Sequence, residues 1–458
     1  MQPTGLEWRG YEIMGRLRPV IVLLCAVLTS GCGLAVLAEE DAAARTAPPP
    51  VAARMPASLA LSHFGQDVAA AVMAHPDLTG QRARVDMSRA DLQAVRAGAR
   101  PQVSLGADLS RLVIGGASGP ARVVPVLEAS QLLFDAGATR ARLRAGREGV
   151  LGQEISREEL AAELALAAVV ARIDIQHQRT LMRLADANLE AHRVLLGQIR
   201  DRVEAGAGSD ADRLAAESRL ADAMAQRAAI RSDLDRAEVV HAELFGGLPA
   251  EGEAVPAAPD LPGGAVDEVI ATSPRVRAVE ARIAASTATR DAVQASFWPA
   301  LTLDLEARQP KGGTEVSAAL RPRAVVAGGG QRSAALARAD AEIAGLVAER
   351  QAVGRDVARA LAFARSDRQS GQARLAAARV ARDANEAAQQ AARDQFEAGR
   401  SEISDLLQTQ RDLFQSSVAL AEARRSLAVS GYAALALTGD ILDVFGVRAG
   451  LSVPEVVQ

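Results

Sequence analysis

Histidines are the side chains here best suited to general-base or metal-ligand work, and the chain has five: His63, His75, His177, His192 and His241. They are scattered, with no metal-ligand spacing and no nucleophile motif beside any of them. Each therefore reads as a histidine on the surface of a helix. Gly328-Gly329-Gly330 lacks the Gly-Lys-Ser/Thr ending of a phosphate loop and reads as a turn. The carboxylates follow helical periods with arginines nearby, as solvated faces do. No catalytic, cofactor-binding or metal-binding constellation is expected, and the chain does not read as an enzyme.

The one covalent chemistry the sequence announces lies at Cys32. Met14-Gly15-Arg16-Leu17-Arg18 is a basic n-region, and the apolar run Val20 to Leu28 is too short to span a bilayer comfortably. Leu28-Thr29-Ser30-Gly31-Cys32 has the form of a lipobox, in which a bacterial signal peptidase cuts before a lipidated cysteine. An ordinary signal peptide cut near Ala38 is the alternative. Residues 1–31 are read as a signal peptide whose true start is Met14, and 32–56, rich in Ala and Pro, as a lipid-anchored flexible tether. Gly33, rather than Asp, fits the sorting pattern for an outer membrane. Cys25 and Cys32 are the only cysteines, so a chain cut there has no internal disulfide.

Of the 458 residues, 49% are hydrophobic but only 3% are aromatic. Alanine and arginine crowd the sequence instead, which favours long helices with closely approaching backbones. A net charge of −4 gives no basic excess, so nucleic acid is not an expected partner. The chain also aligns with itself: Pro76 to Pro101 matches Pro274 to Pro299 without a gap. Each window is followed by period-2 alternation, Val103, Leu105, Ala107 and Leu109 in one half and Leu301, Leu303 and Leu305 in the other. A weaker strand is expected around Val123 to Phe134 and a clearer one around Val316 to Arg321, giving one hairpin per half.

Proline-free helical runs follow, from about Ala138 to Val203 and from about Gly330 to Phe396. At about 1.5 Å per residue each makes a rod of about 100 Å. They stop at matched turns, Val203-Glu204-Ala205-Gly206 and Phe396-Glu397-Ala398-Gly399, and shorter helices return over about Ser209 to Phe245 and Glu402 to Leu437. Leu406, Leu413, Leu420 and Leu427 recur every seven residues, a coiled-coil repeat. The domain reading is a first repeat over 57–250, a linker at 251–263, a second repeat over 264–440 and a C-terminal tail at 441–458.

This order of segments resembles the TolC-like outer-membrane efflux proteins. The resemblance is carried by His75-Pro76-Asp77-Leu78, Ala97-Gly98-Ala99-Arg100-Pro101, Gln131-Leu132-Leu133-Phe134-Asp135-Ala136-Gly137 and the two tips. Asp212 to Leu220, Leu244-Phe245-Gly246-Gly247-Leu248-Pro249 and Asp405 to Leu413 carry it further. It implies a mainly α chain with a small membrane β-barrel contribution, three copies closing a 12-stranded barrel above an α-helical tunnel in the periplasm of a Gram-negative bacterium. Its partners would be outer-membrane lipid, a periplasmic adaptor, and an inner-membrane RND or ABC transporter, in tripartite efflux or type I secretion. The tips Ala205, Gly206, Ala207, Ala398, Gly399 and Arg400 would contact the adaptor; Arg400 replaces a usually small or apolar residue. Asp405 would narrow the tunnel entrance together with Asp212, Phe396 and Gln408, where Gln408 replaces an acid and Phe396 a tyrosine. Asp212 and Asp405 read equally well as first-turn caps. Phe297 and Trp298, just before a strand, could form an interfacial belt or a helix-to-strand packing contact. The rival readings are a periplasmic adaptor, which has one helical hairpin rather than two, and a structural coiled-coil lipoprotein, which needs no alternating strands.

Overall fold

The computed structural model describes residues 55–110, 113–114, 117–118, 122–206, 208–250, 253–260, 266–310, 313–324, 328–398, 400 and 402–451. The expected signal peptide, Cys32 and nearly all of the tether lie outside them. The first half runs α1 (His63–Ala74), α2 (Pro76–Gly98), β1 (Gln102–Ser110), β2 (Val113–Ile114), β3 (Ala117–Ser118), β4 (Arg122–Phe134), α3 (Ala138–Glu204) and α4 (Asp210–Phe245). The second runs α5 (Val266–Thr272), α6 (Pro274–Ala295), β5 (Ala300–Arg308), β6 (Glu315–Arg323), α7 (Gln331–Glu397) and α8 (Ile403–Thr438), then the short α9 (Ile441–Val444) and α10 (Val447–Leu451). The duplication extends to lengths: α3 and α7 have 67 residues each, α4 and α8 36 each.

The long helices start where the chain is forced to turn. Gly137 and Gly330, at φ 88° and 89°, occupy the left-handed region that favours glycine immediately before α3 and α7. The Asp135 carboxylate then accepts from the Gly137 and Thr139 N–H groups at 3.2 and 2.6 Å, satisfying donors of the first turn of α3.

The chain forms two compact units, each with its own packing. In one, residues 85–152 and 280–348, the strands make an antiparallel sheet of order β1-β4-β5-β6. The two hairpins join through β4 and β5, as in Ala129 opposite Leu305, so the repeats share one sheet. Pro125 is tolerated within β4 because its carbonyl, accepting from Gln309 N–H, points to the side where the β5 ladder is ending. Alongside, α2 and α3 approach so closely that a Cβ on Gly146 would meet Leu92 Cδ1 at 2.9 Å, which is the use made of small residues.

In the other unit, residues 55–84, 153–279 and 349–451, one core gathers Phe64, Val68 and Val72 of α1, Ala161, Ala165 and Val169 of α3, Tyr432 and Leu435 of α8, and Ile441, Leu442 and Phe445. Phe445 meets Phe64 edge-on at 5.7 Å and stacks with Tyr432 at 6.0 Å. The Tyr432 hydroxyl donates to Pro256 O at 3.0 Å, and burial pushes its pKa upward. Residues 441–451, expected as a tail, are thus two helices set into this core. A second cluster, Leu195, Leu196 and Ile199 with Ala216, Phe396, Leu406 and Leu407, draws together α3, α4, α7 and α8. No helix among the described residues is long and apolar enough to cross a membrane.

Candidate functional site

Cross-strand register sorts the sheet's residues onto two faces. Val103, Leu105 and Leu109 of β1 pair with Ala129, Leu127 and Val123 of β4; Ala129 and Leu127 pair with Leu305 and Ala307 of β5; these pair with Ala318 and Val316 of β6. One face is therefore apolar across all four strands, and Val103, Leu105, Leu109, Val123, Val316 and Leu320 on it are exposed. The opposite face carries Ser104, Asp108, Glu128, Ser130, Asp304, Glu306, Arg308 and Arg321. There Arg308 lies 3.5 Å from Asp108, Arg321 lies 3.3 Å from Asp304, and Ser130 donates to Asp304 at 2.6 Å. Charges on one side and uncovered aliphatic side chains on the other are the pattern of a barrel wall between water and lipid. Trp298, two-thirds exposed, and Phe297, with the Arg332 guanidinium 5.3 Å from its ring, stand at the start of β5.

The other site residues sit at the matched turns. Gly206 takes φ 73° and its N–H reaches Val203 O at 3.0 Å, closing α3 in a left-handed turn. At the second turn the Ala398 and Arg400 N–H groups reach Asp394 O and Gln395 O at 3.1 and 2.8 Å. Ala205, Gly206, Ala398 and Arg400 are all exposed, whereas Ala207 and Gly399 lie outside the described residues. Asp212 is held in a capping box: its carboxylate accepts from Ser209 N–H and its own N–H donates to Ser209 Oγ. Asp405 and Gln408 are exposed in the first turns of α8, with Gln408 donating to Asp412 at 2.8 Å. Phe396 is instead buried, 4% exposed, with the Arg202 guanidinium 4.4 Å from its ring centre.

Residues 69–247 and 265–439 match the family described as outer membrane efflux protein. The chain belongs to that family. This efflux protein is an outer-membrane channel subunit whose helices form the periplasmic tunnel, and members of the family work as trimers with an adaptor and an inner-membrane pump. The adaptor reading is not favoured. The outer membrane efflux protein BepC of Brucella suis biovar 1 (strain 1330) is 24% identical over 390 residues, covering 82% of this chain and 86% of its own. The fold is shared with the outer-membrane channel OprN, at TM-score 0.74 and 23% identity over 85% of this chain and 94% of that one. It is also shared with the open state of the Neisseria gonorrhoeae MtrE channel, at 0.75 and 19% over 83% and 90%.

Two features of the efflux protein's helices escape a sequence reading. First, three of the histidines are not on the surface: His177, His192 and His241 are 8%, 6% and 1% exposed. Each lies on a helix face that turned inward despite its polar residue, and burial lowers all three pKa values. Second, Gln389 of α7 donates to Gln410 of α8, and Gln410 donates to Asn188 of α3, both at 3.2 Å. These three buried amides link three helices close to the tips. Their only sequence signal was the polar residue Gln410 between the heptad leucines Leu406 and Leu413.

Proposed function

We propose that three copies of the chain close a twelve-stranded barrel and a helical tunnel, through which an inner-membrane RND or ABC transporter discharges its substrate unchanged. The observation that carries this reading is the two-faced sheet whose outer strands, β1 and β6, are paired on one side only among the described residues. Hydrocarbon tolerates no open strand edge, so such a wall is complete only when other copies supply the missing neighbours. Cys32 carries the lipid anchor, and the channel passes substrate without catalysis.

The exposed tips Ala205, Gly206, Ala398 and Arg400, with Ala207 and Gly399, form the surface for a periplasmic adaptor. Arg400 gives that surface a positive charge beside the turn, so the adaptor would present an acid there. Asp405, exposed on α8, forms the threefold carboxylate ring at the tunnel entrance with Gln408 one turn further on. Asp212 acts there through the cap that fixes the start of α4, and Phe396 through apolar packing in place of a polar latch. Single-channel conductance in planar bilayers, measured with the mass in detergent, tests the reading. A trimer forming small cation-preferring pores that widen with Asp405→Asn is expected. A monomer without pores would sink the duct, and an Asp405→Asn channel indistinguishable from wild type would sink the ring.

A further inference from the structure

His63 and Asp67 stand one turn apart on α1, and Glu253 reaches them from the segment after α4, 190 residues along the chain from His63. The three offer ligand atoms all within 4.8 Å of one another. His63 Nδ1 lies 2.9 Å from Glu253 Oε1 and 3.4 Å from Asp67 Oδ2. Both of these oxygens are acceptors, and one ring nitrogen carries at most one proton, so hydrogen bonding serves a single carboxylate at a time. A cation serves all three groups. Ligands about 2.0–2.2 Å from a zinc-like ion stand about 3.0–3.4 Å apart at octahedral or tetrahedral angles, close to the spacing seen.

The surroundings fit a ligand rather than a plain ion pair. Arg172 of α3, 2% exposed, donates to Asp67 Oδ2 at 2.7 Å and lies 3.3 Å from Glu253 Oε2. Glu253 is thereby divided, with Oε2 towards the guanidinium and Oε1 towards His63. That is the outer-sphere contact that orients a ligating carboxylate. Two carboxylates and one guanidinium leave a net negative charge, and Arg172 has its own support, 5.3 Å over the Phe245 ring. The cluster borders a cavity of about 520 Å³ whose wall includes His241. His241, 1% exposed, has Nδ1 2.8 Å from Gly247 O, which holds the proton there and leaves Nε2 a lone pair with no partner. A buried imidazole lone pair thus lies in the wall of the same cavity that the two carboxylates and His63 line.

We propose that His63, Asp67 and Glu253 bind a first-row divalent cation of the Zn²⁺ class, tying α1 to the segment between the two repeats. The imidazole selects against Mg²⁺ and Ca²⁺, which prefer all-oxygen shells. The side chain of His63 is 77% exposed, so the ion enters from solvent. Binding here goes beyond the channel reading and does not depend on it.

The test is calorimetric titration of the tag-free, chelator-stripped full chain in detergent with ZnCl₂, with zinc counted after dialysis. One zinc per chain is expected. His63→Ala and Glu253→Gln are each expected to weaken binding by about tenfold or more. Glu253→Gln removes a counter-ion from buried Arg172 and can unfold the chain, so the exposed His63→Ala is the deciding variant. No saturable zinc site, or one of unchanged affinity and stoichiometry in His63→Ala, overturns the proposal.

Discussion

Leu105→Arg tests which face of the sheet meets lipid. Leu105 is 75% exposed in the middle of β1, opposite Leu127, whose neighbour on β5 is Ala307. An arginine there has hydrocarbon around it and no acid across either strand. Such a charge on the lipid face at mid-depth costs about 2–4 kcal/mol, and three copies carry it three times, about 6–12 kcal/mol per trimer. That is comparable to the about 5–15 kcal/mol that stabilises a typical folded domain. Ser104, one residue earlier, turns to the charged face opposite Glu128. There an arginine meets water and a cross-strand acid worth about 0.2–1 kcal/mol in its favour. Folding into lipid vesicles at increasing urea, read by heat-modifiable gel mobility, separates the two. Leu105→Arg should lower the urea midpoint or prevent insertion, while Ser104→Arg folds as wild type and shifts the ion preference of the pore. If Leu105→Arg inserts normally, or Ser104→Arg is the one that fails, the assignment of faces is wrong.

Three further outcomes are expected. Gln410→Leu leaves Gln389 Nε2 and Asn188 Oδ1 buried without each other's link, at about 1–3 kcal/mol per group, whereas replacing all three amides by leucine restores most of the loss; denaturant unfolding followed by helical circular dichroism checks this. Burial holds His177 and His192 below their usual 6.5, so below that pH the unfolded chain binds more protons than the folded one. Stability is then complete above pH 6.5 and declines as pH falls through it, by at most about 1.4 kcal/mol per pH unit per histidine; a thermal midpoint equal at pH 7.5 and 5.5 would contradict this. Phe363 on α7 is 62% exposed in the single chain, and if another copy covers it, Phe363→Glu removes about 1.5–3 kcal/mol of burial per interface. Its trimer should dissociate at higher protein concentration than wild type by light scattering.

The repeated architecture was legible because its signals are local and doubled. Proline-free runs ending at Ala205-Gly206 and Ala398-Gly399 predicted α3 and α7 to within a residue or two. β4 was faint for an identifiable reason: Val123 to Leu127 is a continuous apolar run, Val124 and Val126 standing on the otherwise polar face, so the period-2 signal fades. The two short helices in the stretch expected as a tail were not anticipated because helices of four and five residues carry no periodicity, although Ile441, Leu442, Val444 and Phe445 were apolar enough to signal burial. The buried histidines and amides were illegible because a polar residue on a single sequence is assigned to solvent by default. His63 and Asp67 stand four residues apart on α1, a pairing the sequence reading passed over, and only the fold brings Glu253 beside them.

Duplication of sequence did not produce duplication of environment. α3 buries a nearly continuous series that includes Ile155, Ala165, Val169, Ile173, Ile175, Leu189, Leu196 and Ile199. α7, of equal length, buries only Leu346, Val357, Leu361, Gln389 and Phe396 among its larger side chains, and leaves Val347, Phe363 and Val380 uncovered. The two helices differ in sequence as well as in cover: α3 is lined with Ile, Leu and Val where α7 is richer in Ala. The exposed apolar residues of α7 are separated by arginine–acid pairs such as Arg359 with Asp356, between Val347 and Phe363, rather than forming a continuous apolar stripe. Mixed apolar and charged positions on one helix suit a helix that shares a seam with another copy on one side and meets water on the other. The long helix of the first repeat thus supplies more of the burial within the chain, and that of the second carries more of its uncovered apolar surface.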